Sequence, residues 1–225
     1  MDVSRRQVML GLPLAVATAG HGLPARAAAN SAGIQILDTW YRLVLELVRH
    51  TATYSPPVAS RAFAYLGVIA FEAVASGDLR LKSLSGQLTD LAALPARRVG
   101  QRFDDVVVLQ AALADGAAAL FSNTGPTGQR ALSAMTRKLT AAAAASVSPD
   151  VAERSASLGR EIAAHVLAWA ATDGGARIDN MGFPAHWTPN PAPGSWVPTS
   201  KIVLQQAPLL PDWGRNRPFD LLLNI

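Results

Sequence analysis

Residues Ser55 to Ser76 read S-P-P-V-A-S-R-A-F-A-Y-L-G-V-I-A-F-E-A-V-A-S. Ser55 suits a helix N-cap, and Pro56 and Pro57 suit the first turn, where backbone N–H groups have no helical acceptor in any case. Past Arg61 the run stays apolar up to Gly77, broken only by Glu72. A helix apolar on nearly every side belongs at the centre of a bundle, with neighbours all round. Ala62, Ala64, Gly67, Ala70 and Ala73 are small enough to let those neighbours come close. The stretch predicts the core helix of an all-α protein.

The rest of the composition agrees. Half of the 225 residues are apolar, enough for a sizeable core, and aromatics are few while alanine is abundant. That balance favours close-packed helices over a β-sandwich. The formal charge is +4. Arg5, Arg6, Arg26 and Asp2 carry a net +2 of it within a segment expected to be removed, leaving +2 for the remainder. No Lys/Arg stripe is interleaved with aromatics, so nucleic acid is not an expected partner. Cysteine is absent, which excludes disulfides, thiolate metal sites and a cysteine nucleophile.

Before the core helix, residues 1–27 read as a twin-arginine export signal. Ser4-Arg5-Arg6-Gln7-Val8-Met9-Leu10 is followed by a mildly apolar run to Ala19 and by Ala25-Arg26-Ala27, an A-x-A type of cleavage site. The run is shorter than the ~20 residues of a spanning helix, so contact with a membrane is expected only in transit, and the location is periplasmic or secreted. From Ser31 a helix is expected, with Ile34, Leu37, Tyr41, Val44 and Val48 at three- and four-residue steps. His50 at its end suits the carbonyl terminus as a cation; a ligand or base role has no evident partner.

After the core helix, Leu81, Leu84, Leu88, Leu91 and Leu94 form a stripe that predicts a short amphipathic helix stopped by Pro95. Asp104 and Asp105 suit the start of a fourth helix running to Phe121. A fifth begins at Thr127 or Gly128 and extends through Ala141–Ala145, and a sixth follows Ser148-Pro149 and ends before Gly174-Gly175. The expected organisation is therefore a bundle of about six helices over 28–176. An extended Pro/Trp-rich arm follows over 177–225, with Trp187, Trp196 and Trp213 packing it across the bundle and expected to pack on a missing C-terminal half as well.

Few side chains suggest chemistry. Glu72 reads as a buried or half-buried partner of an arginine such as Arg42 or Arg49, or as a metal or proton-transfer carboxylate. A bundle di-metal site needs Glu-x-x-His sets, and Glu161 to His165 is spaced by four. His165, one turn from Ile162 and Trp169, reads as half-buried and hydrogen-bonded.

Four stretches, in this order, resemble the N-terminal half of bacterial vanadium-dependent haloperoxidase-like proteins, relatives of the type 2 phosphatidic acid phosphatases. They are Trp40 with S-P-P-x-x-S-R-x-x-A-Y and Phe71-Glu72-Ala73; Ser155-x-x-x-Gly159-x-x-x-Ala163 through Trp169 to Asp173-Gly174; Gly194 to Thr199; and Pro208 through Trp213-Gly214 to Arg217-Pro218-Phe219. The resemblance implies a helical protein whose complete form binds vanadate, or phosphate in the phosphatases. Such a site needs Arg/Lys donors and a histidine. The family carries these as K-x(6)-R-P, P-S-G-H and S-R-x(5)-H. None is present: Arg217-Pro218 imitates the first, but Leu210 stands where lysine is required, and Ser4-Arg5 and Ser60-Arg61 lack the following histidine.

The chain therefore reads as a family member cut short before the catalytic half. It carries no catalytic, cofactor-binding or metal residue and no cofactor of its own, and its expected partner is a C-terminal half or a second copy. Whether the chain is an enzyme is left open. The alternatives are a self-sufficient exported helical binding module and, more remotely, an unrelated enzyme using Glu72 with His50 or His165.

Overall fold

The computed structural model describes residues 22–197 and 207–220. The Ser4-Arg5-Arg6 motif and the Leu221–Ile225 run lie outside the described residues. Five α-helices and no strand occur among them. They are α1 (Gly22–Arg49), α2 (Pro56–Ala75), α3 (Asp105–Leu120), α4 (Gly125–Ala144) and α5 (Pro149–Ala170). The protein is all-α, with one helix fewer than the sequence predicts.

The missing helix is the leucine stripe. Residues 78–104 contain no helix; Gly86 and Gly100 take positive φ (71° and 80°), and so does Asp90 (60°). Three left-handed residues in one segment cannot be accommodated in a right-handed helix. Four of the five leucines still point inward, Leu81 being exposed. Leu91 is buried, while Leu84, Leu88 and Leu94 are half-buried against the core.

α1 starts nine positions earlier than Ser31, because Ala25-Arg26-Ala27-Ala28-Ala29 is a strong helix-forming run. α4 likewise starts at Gly125, with Pro126 in its first turn. Pro56 and Pro57 open α2 as expected, although the Ser55 hydroxyl makes no capping bond and is buried without a partner. Asp104 caps α3 in full: its carboxylate accepts the N–H groups of Val106 and Val107 at 3.0 Å each.

α3, not α2, occupies the centre: it packs against each of the other four helices. The reason lies in its surface. Ala112, Ala114, Gly116 and Ala117 are all buried, so neighbours approach its backbone on several sides. The approach of α5 is so close that a Cβ on Gly159 would lie 2.3 Å from the Val108 carbonyl oxygen and 3.0 Å from the Ala112 nitrogen. α2 faces α3 and α5, and Tyr65, Leu66 and Ile69 are fully buried there. Trp40 of α1 is also fully buried, its Nε1 donating to Gln110 Oε1 of α3 at 2.9 Å.

Candidate functional site

One polar cluster joins α2, the end of α5 and the C-terminal arm. Arg61, one turn into α2, donates from Nε to Asp173 Oδ2 (2.7 Å) and from Nη2 to Asp173 Oδ1 (3.1 Å). Its Nη2 also reaches the Ala170 carbonyl at 2.6 Å, at the end of α5, where the carbonyls have no regular helical donor. Tyr65, one turn further along α2, donates to Asp173 Oδ2 at 2.8 Å, and the Gly175 N–H donates to Oδ1 at 2.8 Å. Asp173 is thus buried with its carboxylate fully engaged. Burial would push its carboxyl up, but the Arg61 guanidinium, the Tyr65 hydroxyl and the Gly175 N–H outweigh that and hold it below the usual carboxylate range. Tyr65 moves the other way. Burial first, then its bond to the Asp173 carboxylate, pushes its hydroxyl up to about 12.

The arm enters the same cluster. The Arg217 N–H donates to the Asp173 carbonyl at 2.8 Å. Its guanidinium bonds the Trp169 carbonyl (2.6 Å) and Thr172 Oγ1 (2.9 Å), and lies over the Trp169 ring at 4.8 Å. Phe219 completes an aromatic triangle, 4.9 Å from Tyr65 and 5.2 Å from Trp169, with those two rings 5.0 Å apart. The loop between α2 and α3 is fastened here too. Thr89 donates its N–H to the Phe219 carbonyl (2.9 Å), and its own carbonyl accepts Trp169 Nε1 (3.0 Å). Trp187 and Trp196 instead pair with each other at 5.6 Å, and Trp196 is exposed. Arg217 and Phe219, rather than Trp187 and Trp196, hold the arm to the bundle.

An oxyanion such as vanadate does not fit this cluster. Arg61 is engaged by Asp173 and the Ala170 carbonyl, Arg217 is engaged through both Nη atoms with its buried Nε left unpartnered, a carboxylate already holds the central position, and no histidine belongs to the set. Its chemistry is that of an anchor. A cavity of about 290 Å³ opens beside it, lined by Arg61, Tyr54, Asn123 and Ala170; the Tyr54 hydroxyl there is taken up by the Leu120 carbonyl and the Asn123 N–H.

The residues singled out from sequence lie apart from one another. Glu72 is buried, but its partner is not an arginine: Oε1 accepts the Leu84 N–H at 2.6 Å. Arg42 and Arg49 sit on the exposed face of α1, paired with Asp38 and Glu46. His50 closes the last turn of α1, and its ring lies 3.3 Å from the Glu46 carboxylate. His165 is half-buried as expected, but makes no side-chain hydrogen bond among the described residues. Glu161 accepts instead from Ser157, one turn back. No group of three or more metal-ligating side chains occurs among the described residues. Asp173 escaped the sequence reading as a partner for Arg61. The one signal for it was the shared order of S-R-x-x-A-Y, Asp173-Gly174 and Arg217-Pro218-Phe219, three patterns that meet in this cluster.

Neither a protein-family model nor a curated protein matches the chain. Among solved structures, the first bacterial vanadium-dependent iodoperoxidase superposes with a TM-score of 0.61 and 26% sequence identity. The fold is haloperoxidase-like. The match covers 83% of this chain and 42% of the iodoperoxidase, so the chain spans less than half the length of the protein it resembles.

Proposed function

We propose that this chain is the N-terminal helical portion of an exported vanadium haloperoxidase-like protein and performs no oxyanion chemistry by itself. The observation that carries the reading is the asymmetry of the structural match, 83% of this chain against 42% of the iodoperoxidase. Two further points support it. The oxyanion motifs K-x(6)-R-P, P-S-G-H and S-R-x(5)-H do not occur in the sequence. The two arginines gathered at the end of α5 are engaged by Asp173 and by backbone carbonyls. The Ser4-Arg5-Arg6 pattern supports export of the folded chain by the twin-arginine route.

The test is direct. The purified chain is titrated with vanadate and with phosphate by calorimetry, then assayed for iodide and bromide oxidation with peroxide. No stoichiometric uptake and no turnover are expected. Tight one-to-one vanadate uptake by this polypeptide alone overturns the reading. Sequencing beyond the Ile225 codon supplies the complementary check, since a frame encoding K-x(6)-R-P and P-S-G-H is expected there or nearby.

A self-sufficient exported binding module is the second reading. The closed Arg61–Asp173–Arg217 cluster favours it, because it fastens the arm without help from another polypeptide. A monomer that melts cooperatively, with no complementary frame nearby, decides for it.

A further inference from the structure

A separate cavity of about 460 Å³ lies between the last turn of α2 and the loop that follows it, about 16 Å along the helix from Arg61. Glu72, only 3% exposed, lines it. Its Oε1 is taken by the Leu84 N–H at 2.6 Å, whereas Oε2 accepts no hydrogen bond among the described residues and is not sealed from the cavity. No ion pair among the described residues includes this carboxylate. Buried charges are ordinarily paired. The demand for a cation is greater here because the carboxylate stands in the last turn of α2, where the helix already presents negative charge.

Two cations line the same cavity without pairing with Glu72. Arg97 is held in place by Asp105, which accepts from Nη2 at 2.6 Å, and by the Phe103 ring, 5.5 Å from its guanidinium carbon. Its Nη1 donates to no acceptor among the described residues and stays accessible. Lys82 is exposed and belongs to no ion pair among the described residues. The Ser83 hydroxyl accepts the Ser85 N–H at 3.1 Å and keeps its own proton to donate. Leu94 and Pro95 add an apolar wall.

We propose that this cavity takes a free amino acid with an apolar side chain. Its ammonium sits on Glu72 Oε2, its carboxylate on Arg97 Nη1 and Lys82 with the Ser83 hydroxyl in reserve, and its side chain against Leu94 and Pro95. A ligand of one charge answers only half of the site. A simple anion meets the unpaired Glu72 carboxylate, and a simple amine meets two cations; a short zwitterion satisfies both. The site is independent of the functional reading above, since every group in it belongs to α2 and the α2–α3 segment.

The purified chain is titrated by calorimetry with L-leucine and L-phenylalanine, each alongside the amine that lacks its carboxylate and the acid that lacks its ammonium. One of the two amino acids is expected to bind at a single site, with its amine and its acid weaker by about tenfold or more. Glu72→Gln keeps an oxygen for the Leu84 N–H while removing the charge, and Lys82→Ala alters an exposed position. Each is expected to weaken uptake about tenfold or more with unchanged thermal melting. Arg97→Lys, which keeps a cation for Asp105 but loses Nη1, replaces Glu72→Gln should that variant fail to fold. Uptake of neither amino acid overturns the proposal, as does an acid or amine that binds as tightly as its parent, or equal affinity of wild type and variants. No uptake together with a Lys82→Ala chain less stable than wild type overturns it in favour of an internal pair between Lys82 and Glu72.

Discussion

Arg61 and Asp173 lie 112 positions apart in the chain and meet through two hydrogen bonds, with the carboxylate buried and the guanidinium at the edge of the cluster. Removing one partner of such a pair leaves the other without a countercharge in a poorly solvated place, at a cost of about 3–5 kcal/mol. Asp173→Asn, which keeps the volume, is expected to lose an amount of that order in urea unfolding at pH 7. The fold holds the Asp173 carboxyl below its ordinary value. Its contribution is therefore complete above the unfolded value of about 4 and is lost as pH falls through the lower native value. The gap between wild type and D173N should stay constant from pH 7 to about 4 and narrow below it.

Tyr65 gives the opposite limb. All three tyrosines have raised hydroxyl values, and Tyr65 reaches about 12. A spectrophotometric titration should show no tyrosine ionising at the ordinary value of about 10 while the protein is folded. Stability contributed by the neutral Tyr65 hydroxyl is present below pH 10 and is lost as pH rises towards about 12. Y65F should remove that component of the alkaline loss.

Gly159 sets the distance between α5 and the central helix. Because an added Cβ meets backbone atoms of Val108 and Ala112 rather than a movable side chain tip, Gly159→Ala should destabilise by about 3 kcal/mol, despite alanine's higher helix propensity. Gly67→Ala is the control. Its Cβ would sit 3.6 Å from the Tyr41 hydroxyl, an ordinary contact, so stability should hold or rise in chemical denaturation.

Arg217→Ala should loosen the arm without unfolding the bundle. It removes the bonds to Trp169 and Thr172 and the stacking over the Trp169 ring. Hydrogen exchange should then speed at the Thr89 and Arg217 amides, whose acceptors lie on Phe219 and Asp173, while amides within α3 keep their protection. Equal acceleration throughout would show that the arm and the helices form a single cooperative unit.

The helices were legible because periodicity and caps are local. Pro56-Pro57, Asp104-Asp105 and Ser148-Pro149 mark real helix starts. The leucine stripe misled because a loop that folds back on a bundle also places leucines inward every few residues; Ser83, Gly86 and Asp90 were the turn-forming residues that competed. The central helix was misplaced for a related reason. All-round apolarity marks α2 as buried, whereas centrality depends on how closely backbones approach, which the alanines and Gly116 of α3 decide. The apolar neighbours of Glu72 on α2 account for its burial, but its acceptor role towards Leu84 N–H depends on a loop path without periodicity. The Arg61–Asp173 pair was not legible from local pattern, since nothing near either residue specifies a partner so distant in sequence.

The separation of α2 from α3 has a consequence for synthesis. α2 is long and apolar enough, by length and composition, to cross a membrane, and the helix that covers it begins only at Asp105. At about 5–20 residues per second, a ribosome leaves that segment uncovered for a matter of seconds. During that interval α2 presents bare apolar surface of the kind that makes incompletely folded chains prone to aggregate.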